Sequence, residues 1–509
     1  MTSGRIAAGF VLVAILAPLG AVIWRGGGIS TLGPAEWAAV RFTLSQALVS
    51  AVLSVGIAVP LAGALARRSF FGRGLLITLL GAPFILPTIV AILGLLAIFG
   101  QAGLMGQVYG LFGLQAPSIF GFHGVVLAHV FFNLPLAVRL ILQGWLAIPG
   151  ERFRLAAALG FRPRDVARHL AWPMLRDVVP GIFVVIFLIC TTSFAVALTL
   201  GGGPRATTIE LAIYQAFRFD FDPGKAAALS LVQLAITGIG ALAVAALVVP
   251  NAMGAGLDRK VPQVTAHSPW QRIFDTGVIL VACTFLLLPL AAILVRGSFA
   301  LADLPNSIWA AAGRSLAVAA VSSVMAVGLS LALALAATEG RGRGYELLAA
   351  VAIAASPLVL GTGLYLLVLP FADPVALALP VTAGVNALMA LPFTFRSMLP
   401  DARSVVDNYG RLSASLGLSG PSWMVLVALP RMRRSIGFSA GLAAALSMGD
   451  LGVVALFADP EFATLPLSVY RLMAAYRMDE AGAAALVLLA LTLLVFWLCD
   501  RGGRVDASV

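Results

Sequence analysis

Of the 509 residues, 61% are hydrophobic and only 11% charged, with a mean hydropathy of +1.01. A soluble domain carries about 25% charged residues, so this chain has no means of covering a soluble surface and reads as a membrane protein. The net charge of +11 lies in short loops between apolar runs without interleaved aromatics. That is a topology pattern, and it excludes a nucleic-acid-binding face.

Runs long enough to cross a bilayer need about 20 mostly apolar residues. Twelve are expected: Ile6–Trp24, Thr43–Ala66, Leu75–Phe99, Phe122–Trp145, Gly181–Leu200, Ala226–Val248, Ile273–Val295, Ser315–Ala337, Leu347–Phe371, Leu377–Met398, Phe438–Phe457 and Ala481–Cys499. The fold class is therefore all-α and polytopic. Ile6–Trp24 is too long for a signal-peptide core and is read as a retained first helix. Pro83, Pro87 and Pro357 predict kinks in the third and ninth spans. Of the 33 Lys and Arg, 22 fall on one side of this arrangement, 9 on the other, and Arg139 and Arg396 lie within spans. The richer side is assigned to the cytoplasm, with both termini on it.

Between the fourth and fifth spans lies Glu151–Pro180, with six arginines at 152, 154, 162, 164, 168 and 176. It has an echo: Arg154-Leu155-Ala156-Ala157-Ala158-Leu159-Gly160 returns as Arg411-Leu412-Ser413-Ala414-Ser415-Leu416-Gly417, an offset of 411 − 154 = 257. Pro173 and Pro430 follow the two glycines by 13 positions each, and Leu134–Arg139 matches Leu391–Arg396 at the same offset. The chain thus reads as a parallel repeat: a first half 1–250, a polar linker 251–271 and a second half 272–509. Each loop is expected to form a short helix ended by its glycine, with a second helix over 161–170 that Pro173 stops before the next span. A lone loop of this kind is as well explained by arginines on anionic lipid. Two in register point to a docking surface for a two-fold partner.

With Gly160, Leu170, Trp172 and Pro173, and again Gly417, Val427, Leu429 and Pro430, the loops resemble the EAA loop of the permease subunits of ATP-binding-cassette importers. In that family the loop holds a coupling helix that fits a cleft of the ATPase. The resemblance thus implies two ATPase subunits docked on Arg154, Ala156, Gly160, Leu170 and Pro173 and on Arg411, Gly417, Val427 and Pro430. Arg154 and Arg411 stand where the family has its glutamate. The stretch Phe194–Leu231, with Gly201-Gly202-Gly203-Pro204, Ala206-Thr207-Thr208-Ile209-Glu210 and Tyr214-Gln215, is similar to the thiamine and thiamine-pyrophosphate importer permeases of Gram-negative bacteria. It implies thiamine or its phosphates as cargo and a periplasmic thiamine-binding protein as partner. Iron(III) importer permeases share the fused plan. A gradient-driven secondary transporter is the reading of another class; it calls for several carboxylates within spans and leaves the repeated loops without a purpose.

The glycine run 201–203 lacks the lysine of a phosphate-binding P-loop and is read as a turn. Cys190, Cys283 and Cys499 and His123, His129, His169 and His267 have no ligand spacing, so neither a metal, a cofactor nor a catalytic residue is expected. An ionisable group within a span commonly marks a pathway. Asp450, in Ser447-Met448-Gly449-Asp450-Leu451-Gly452, is such a group, and Thr191-Thr192-Ser193 is its place in the first half. Thr192, Ser193 and Asp450 are the candidate pathway residues. The competing reading is that Asp450 caps a broken helix or pairs with an arginine.

Overall fold

A computed structural model describes residues 2–25, 32–81, 85–247, 269–338, 342–354, 356–457 and 460–504. The expected linker 251–271 lies almost wholly outside them. The first set of helices is α1 (Thr2–Arg25), α2 (Pro34–Arg67), α3 (Arg73–Leu79), α4 (Thr88–Phe99), α5 (Leu104–Leu111), α6 (Phe122–Ala147), α7 (Gly150–Ala158), α8 (Pro163–Val166), α9 (Trp172–Thr191), α10 (Phe194–Leu200), α11 (Ile209–Arg218) and α12 (Pro223–Ala246). The second set is α13 (Pro269–Phe299), α14 (Asn306–Ala337), α15 (Gly342–Ala354), α16 (Pro357–Val368), α17 (Ala378–Ser415), α18 (Gly420–Trp423), α19 (Leu429–Met448), α20 (Gly452–Phe457), α21 (Leu465–Ala474) and α22 (Met478–Gly503). No strand occurs among the described residues. The protein is an all-α, multi-pass membrane protein.

Among the described residues eleven helices are long and apolar enough to cross a bilayer, against the twelve expected. The difference is the ninth span, Leu347–Phe371, which is built as α15 and α16. Pro357 does not kink a continuous helix there; it sits in the first turn of a new one, where its missing N–H costs nothing. Ser356 caps that turn, its hydroxyl accepting from the Val359 N–H at 3.4 Å. The third span divides in the same manner, with Pro87 as the extended residue ahead of α4.

Two contacts correspond between the sets. The Ile209 N–H at the start of α11 donates to the Thr43 hydroxyl of α2 at 2.9 Å, and the Leu465 N–H at the start of α21 donates to the Ser315 hydroxyl of α14 at 2.8 Å. Each set also sends its first helix across to the other. α13 lies on α4, and α1 lies on α16. At the crossings Gly94 faces the Pro289 carbonyl and Gly363 faces the Pro18 carbonyl, each so close that a Cβ would collide with backbone. Small residues at such crossings let helix backbones approach, which is what drives helix association in lipid.

One seam between the sets is polar. Asp275 near the start of α13 is fully buried and takes Arg67 at 2.8 Å and Arg68 at 2.8 Å from the end of α2. On the opposite side the start of α1 makes no such pair among the described residues; Gly4 instead packs directly against Ala336 of α14.

Candidate functional site

The first loop is shaped by its end signals. Pro149 forbids helix at Ile148, which is extended (φ −71°, ψ 122°), so α6 ends and α7 starts anew. The second loop lacks a proline there (its counterpart is Val406), and α17 runs unbroken from the span to Ser415. Both then end alike. Gly160 has φ +66° and Gly417 φ +67°, the left-handed conformation that glycine adopts without a Cβ penalty. The Phe161 N–H reaches the Ala156 carbonyl at 2.9 Å and the Gly160 N–H that of Ala157 at 3.0 Å. In the second copy Leu418 reaches Ser413 at 2.9 Å and Gly417 reaches Ala414 at 3.1 Å. These are the paired bonds of a Schellman C-cap.

Beyond the glycines the expectation of a helix stopped by Pro173 is corrected. Helix resumes at Pro163 and Gly420, passes through a wider π turn at Ala167–Ala171 and Met424–Ala428, and continues into α9 and α19. The Trp172 and Leu429 N–H groups reach five residues back, to the Ala167 and Met424 carbonyls. A proline inside a helix supplies no N–H and crowds the carbonyl four residues before it, and a π turn is one way to make room.

Ala156 is buried, as is its counterpart Ser413, while Leu170 and Val427 are half-buried and Pro173 and Pro430 exposed. Arg154 is 76% exposed and reaches only the equally exposed Glu151, at 3.2 Å; such a pair contributes about 0–1 kcal/mol. Arg411 is exposed as well. The residues that sequence reasoning passed over are Leu155, Leu159, Leu412 and Leu416, each 55–64% exposed. Their signal was present: leucines four residues apart, at the same places in both copies and outside any span. They stand on one helix face beside each glycine and give each loop an apolar knob.

The second feature is a cavity of about 320 Å³ where the two sets meet. Thr192, Ser193 and Asp450 all line it, with Thr88, His129, Asn133, Pro357 and Leu358 among the other walls. Ser193 and Asp450 are equivalent positions, since 450 − 193 = 257. Each stands in a break between two helices, Ser193 ahead of α10 and Asp450 ahead of α20. Asp450 Oδ1 accepts from the Gly452 N–H at 3.2 Å, so it does cap the broken helix; its Oδ2 is buried without a hydrogen-bond partner among the described residues. Capping and lining the cavity are both roles of this one carboxylate. The walls are held from behind: Gln46 donates to the Cys190 carbonyl at 2.9 Å and Gln233 to the Thr191 carbonyl at 3.0 Å, satisfying the last turn of α9. His129 and Asn133 carried no signal in the sequence beyond being polar within a span; their placement is tertiary. The run Gly201–Gly203 is a turn, with φ of +74° at Gly202 and +135° at Gly203.

Two repeated helix-turn loops on a bundle of long apolar helices, with a cavity where the two sets meet, agree with the membrane permease of an ATP-binding-cassette importer as the class. No family model matches the chain. It is 38% identical over 511 residues to the thiamine transport system permease protein of Salmonella typhimurium, covering 97% of this chain and 93% of that protein. It is 37% identical over 476 residues to that of Brucella abortus (91% and 87%) and 38% identical over 482 residues to that of Escherichia coli (91% and 89%). The chain belongs to the thiamine transport system permease family.

Proposed function

We propose that this chain is the translocation subunit for thiamine and its phosphates. Two ATPase subunits dock on the loops at Gly160 and Gly417, and a periplasmic thiamine-binding protein delivers cargo at the opposite end. The two halves, 1–250 and 272–509 with 251–271 between them, rock about the cavity. The chain resides in the bacterial inner membrane with both termini cytoplasmic, as the arginine distribution favours. The observation that carries the reading is the pair of loops with the same glycine cap, π turn and exposed leucines. A pseudo-two-fold pair of knobs suits a two-fold partner, and ATP-driven closure of that partner would move both halves together.

The cargo assignment rests on the family, and the cavity is compatible with it. Asp450 supplies a negative charge in a low-dielectric setting, with Thr192 and Ser193 as hydroxyl partners. A thiazolium cation gains most from such a charge because little water screens it. ATP hydrolysis by the permease–ATPase complex in liposomes is the test, with the binding protein added empty, thiamine-loaded or ferric-iron-loaded. Stimulation by the thiamine-loaded form alone is expected. Stimulation by the iron-loaded form alone would discard the cargo, and uptake driven by an ion gradient without any ATPase would discard the machine.

A further inference from the structure

Glu210 is a fully buried carboxyl away from the cavity lining, in the first turn of α11, a short helix outside the long spanning ones. Its Oε1 is hydrogen-bonded to the Ser356 hydroxyl, a contact that joins the two sets of helices. Its carboxyl also meets the side chain of Gln233. The Gln233 Nε2 is committed to the Thr191 carbonyl at 3.0 Å. That leaves two acceptor oxygens, Glu210 Oε2 and Gln233 Oε1, both buried and both without a donor among the described residues.

Among the described residues no cation is placed to balance a charge on Glu210; Arg471 of α21 approaches α11 at Tyr214, one turn further on. The helices α10, α16 and α20, packed on α11, contain no Asp, Glu, Lys, Arg or His. On α12 the one charged residue, Lys225, is held by Glu36 at 2.7 Å and Asp220 at 3.2 Å. On α2, Arg41 is exposed and Arg67 is taken by Asp275. On α11 itself Arg218 ends the helix two turns away. A helix start favours an anion, but by less than the cost of burying an unpaired carboxylate. One proton meets both deficits, because it removes the charge and supplies the missing donor.

We propose that Glu210 is held as a neutral carboxylic acid, its Oε2 proton shared with Gln233 Oε1, and that it positions the two cavity walls relative to each other. The connection runs from Ser356, which caps α16 beside the lining residues Pro357 and Leu358, through Glu210 and Gln233 to the Thr191 carbonyl, beside the lining residues Thr192 and Ser193. Among the described residues it exists once: the equivalent place in α21 is Pro466, one residue after Leu465 as Glu210 is one after Ile209. Burial pushes the carboxyl up to about 8, with the hydrogen bond from the Ser356 hydroxyl opposing. The raised value means that the tie is fully formed below the ordinary carboxylate range and is lost as pH rises through about 8.

The consequence for transport rests on the cavity being the solute's route; the protonation does not. The test uses the reconstituted permease–ATPase complex with its binding protein. Infrared spectra at neutral pH should show a carboxylic-acid C=O band that is absent from Glu210→Gln and bleaches as pH is raised through about 8. Its absence from the wild type would overturn the proposal whatever transport does. Glu210→Gln keeps an acceptor for Ser356 and a donor for Gln233, so half-saturation for thiamine should stay within about twofold of wild type and lose its alkaline dependence. Glu210→Ala leaves Gln233 unsatisfied and should raise half-saturation about tenfold. Equal transport by the Ala and Gln variants would overturn the positioning role. Should Glu210→Ala fail to assemble, Ser356→Ala cuts the other end of the tie, and an unchanged half-saturation there would count against it equally. An acid band with no thiamine transport by any form would instead sink the cargo assignment and leave Glu210 as described.

Discussion

The loops around Gly160 and Gly417 and the segments around Ser193 and Asp450 are related by one offset of 257 residues, yet they have had different fates. The loops enter differently but keep the backbone of their glycine turns closely, with φ of +66° and +67° and the same two cap bonds. The cavity segments keep their place in the fold and exchange their chemistry, a hydroxyl in one copy for a carboxylate in the other. The proposed partners account for the difference. A symmetric pair of ATPases demands two like knobs, whereas a single asymmetric solute in one shared cavity is met by unlike walls. The Asp275 seam and the Glu210 tie belong with the second kind, being polar connections made, among the described residues, on one side only.

This contrast can be broken most forcefully at the loops. Gly160→Asp and Gly417→Asp each put a Cβ in a left-handed position, at a cost of about 1–2 kcal/mol, and place an anion beside the exposed leucines. Together they should abolish ATPase assembly, and singly they should weaken it to similar degrees; co-purification measures both. A large inequality between the singles would break the symmetry argued here. Next in size is Asp275→Ala, which leaves Arg67 and Arg68 without their buried partner. Thermal unfolding in detergent should register a loss of about 3–5 kcal/mol, whereas Gly4→Ala, at the corresponding but apolar seam, perturbs packing alone and should cost about 1–3 kcal/mol.

The cavity offers a finer test. Asp450→Asn preserves a cap for the Gly452 N–H and removes the charge. Half-saturation for a cationic cargo should rise about tenfold, equivalent to about 1.4 kcal/mol, while Ser193→Ala should change it by less than about threefold. An unchanged value for Asp450→Asn would remove charge attraction from the account and leave capping alone. The smallest effect is expected from Glu151→Gln, which breaks only an exposed pair with Arg154; stability should move by less than about 0.5 kcal/mol and assembly not at all.

The class and the glycine-ended loops were legible in the chain because they rest on composition and local chemistry: apolar length, a glycine that ends a helix and a proline at a set distance. Thr192, Ser193 and Asp450 were legible as polar residues interrupting apolar runs. What they face was not, since a polar residue in a span reads alike whether it caps, pairs or lines a cavity. The ninth span failed as a single helix because a proline reads as a kink or a start until its neighbours are known, and Ser356 made it a start. Only tertiary structure decided that Asp275 is spent on Arg67 and Arg68, that Glu210 meets Ser356 146 residues away, and that Asp450 and Ser193 share one cavity. Each depends on which buried group lies within hydrogen-bond reach across the bundle, and periodicity within one helix carries no information about that.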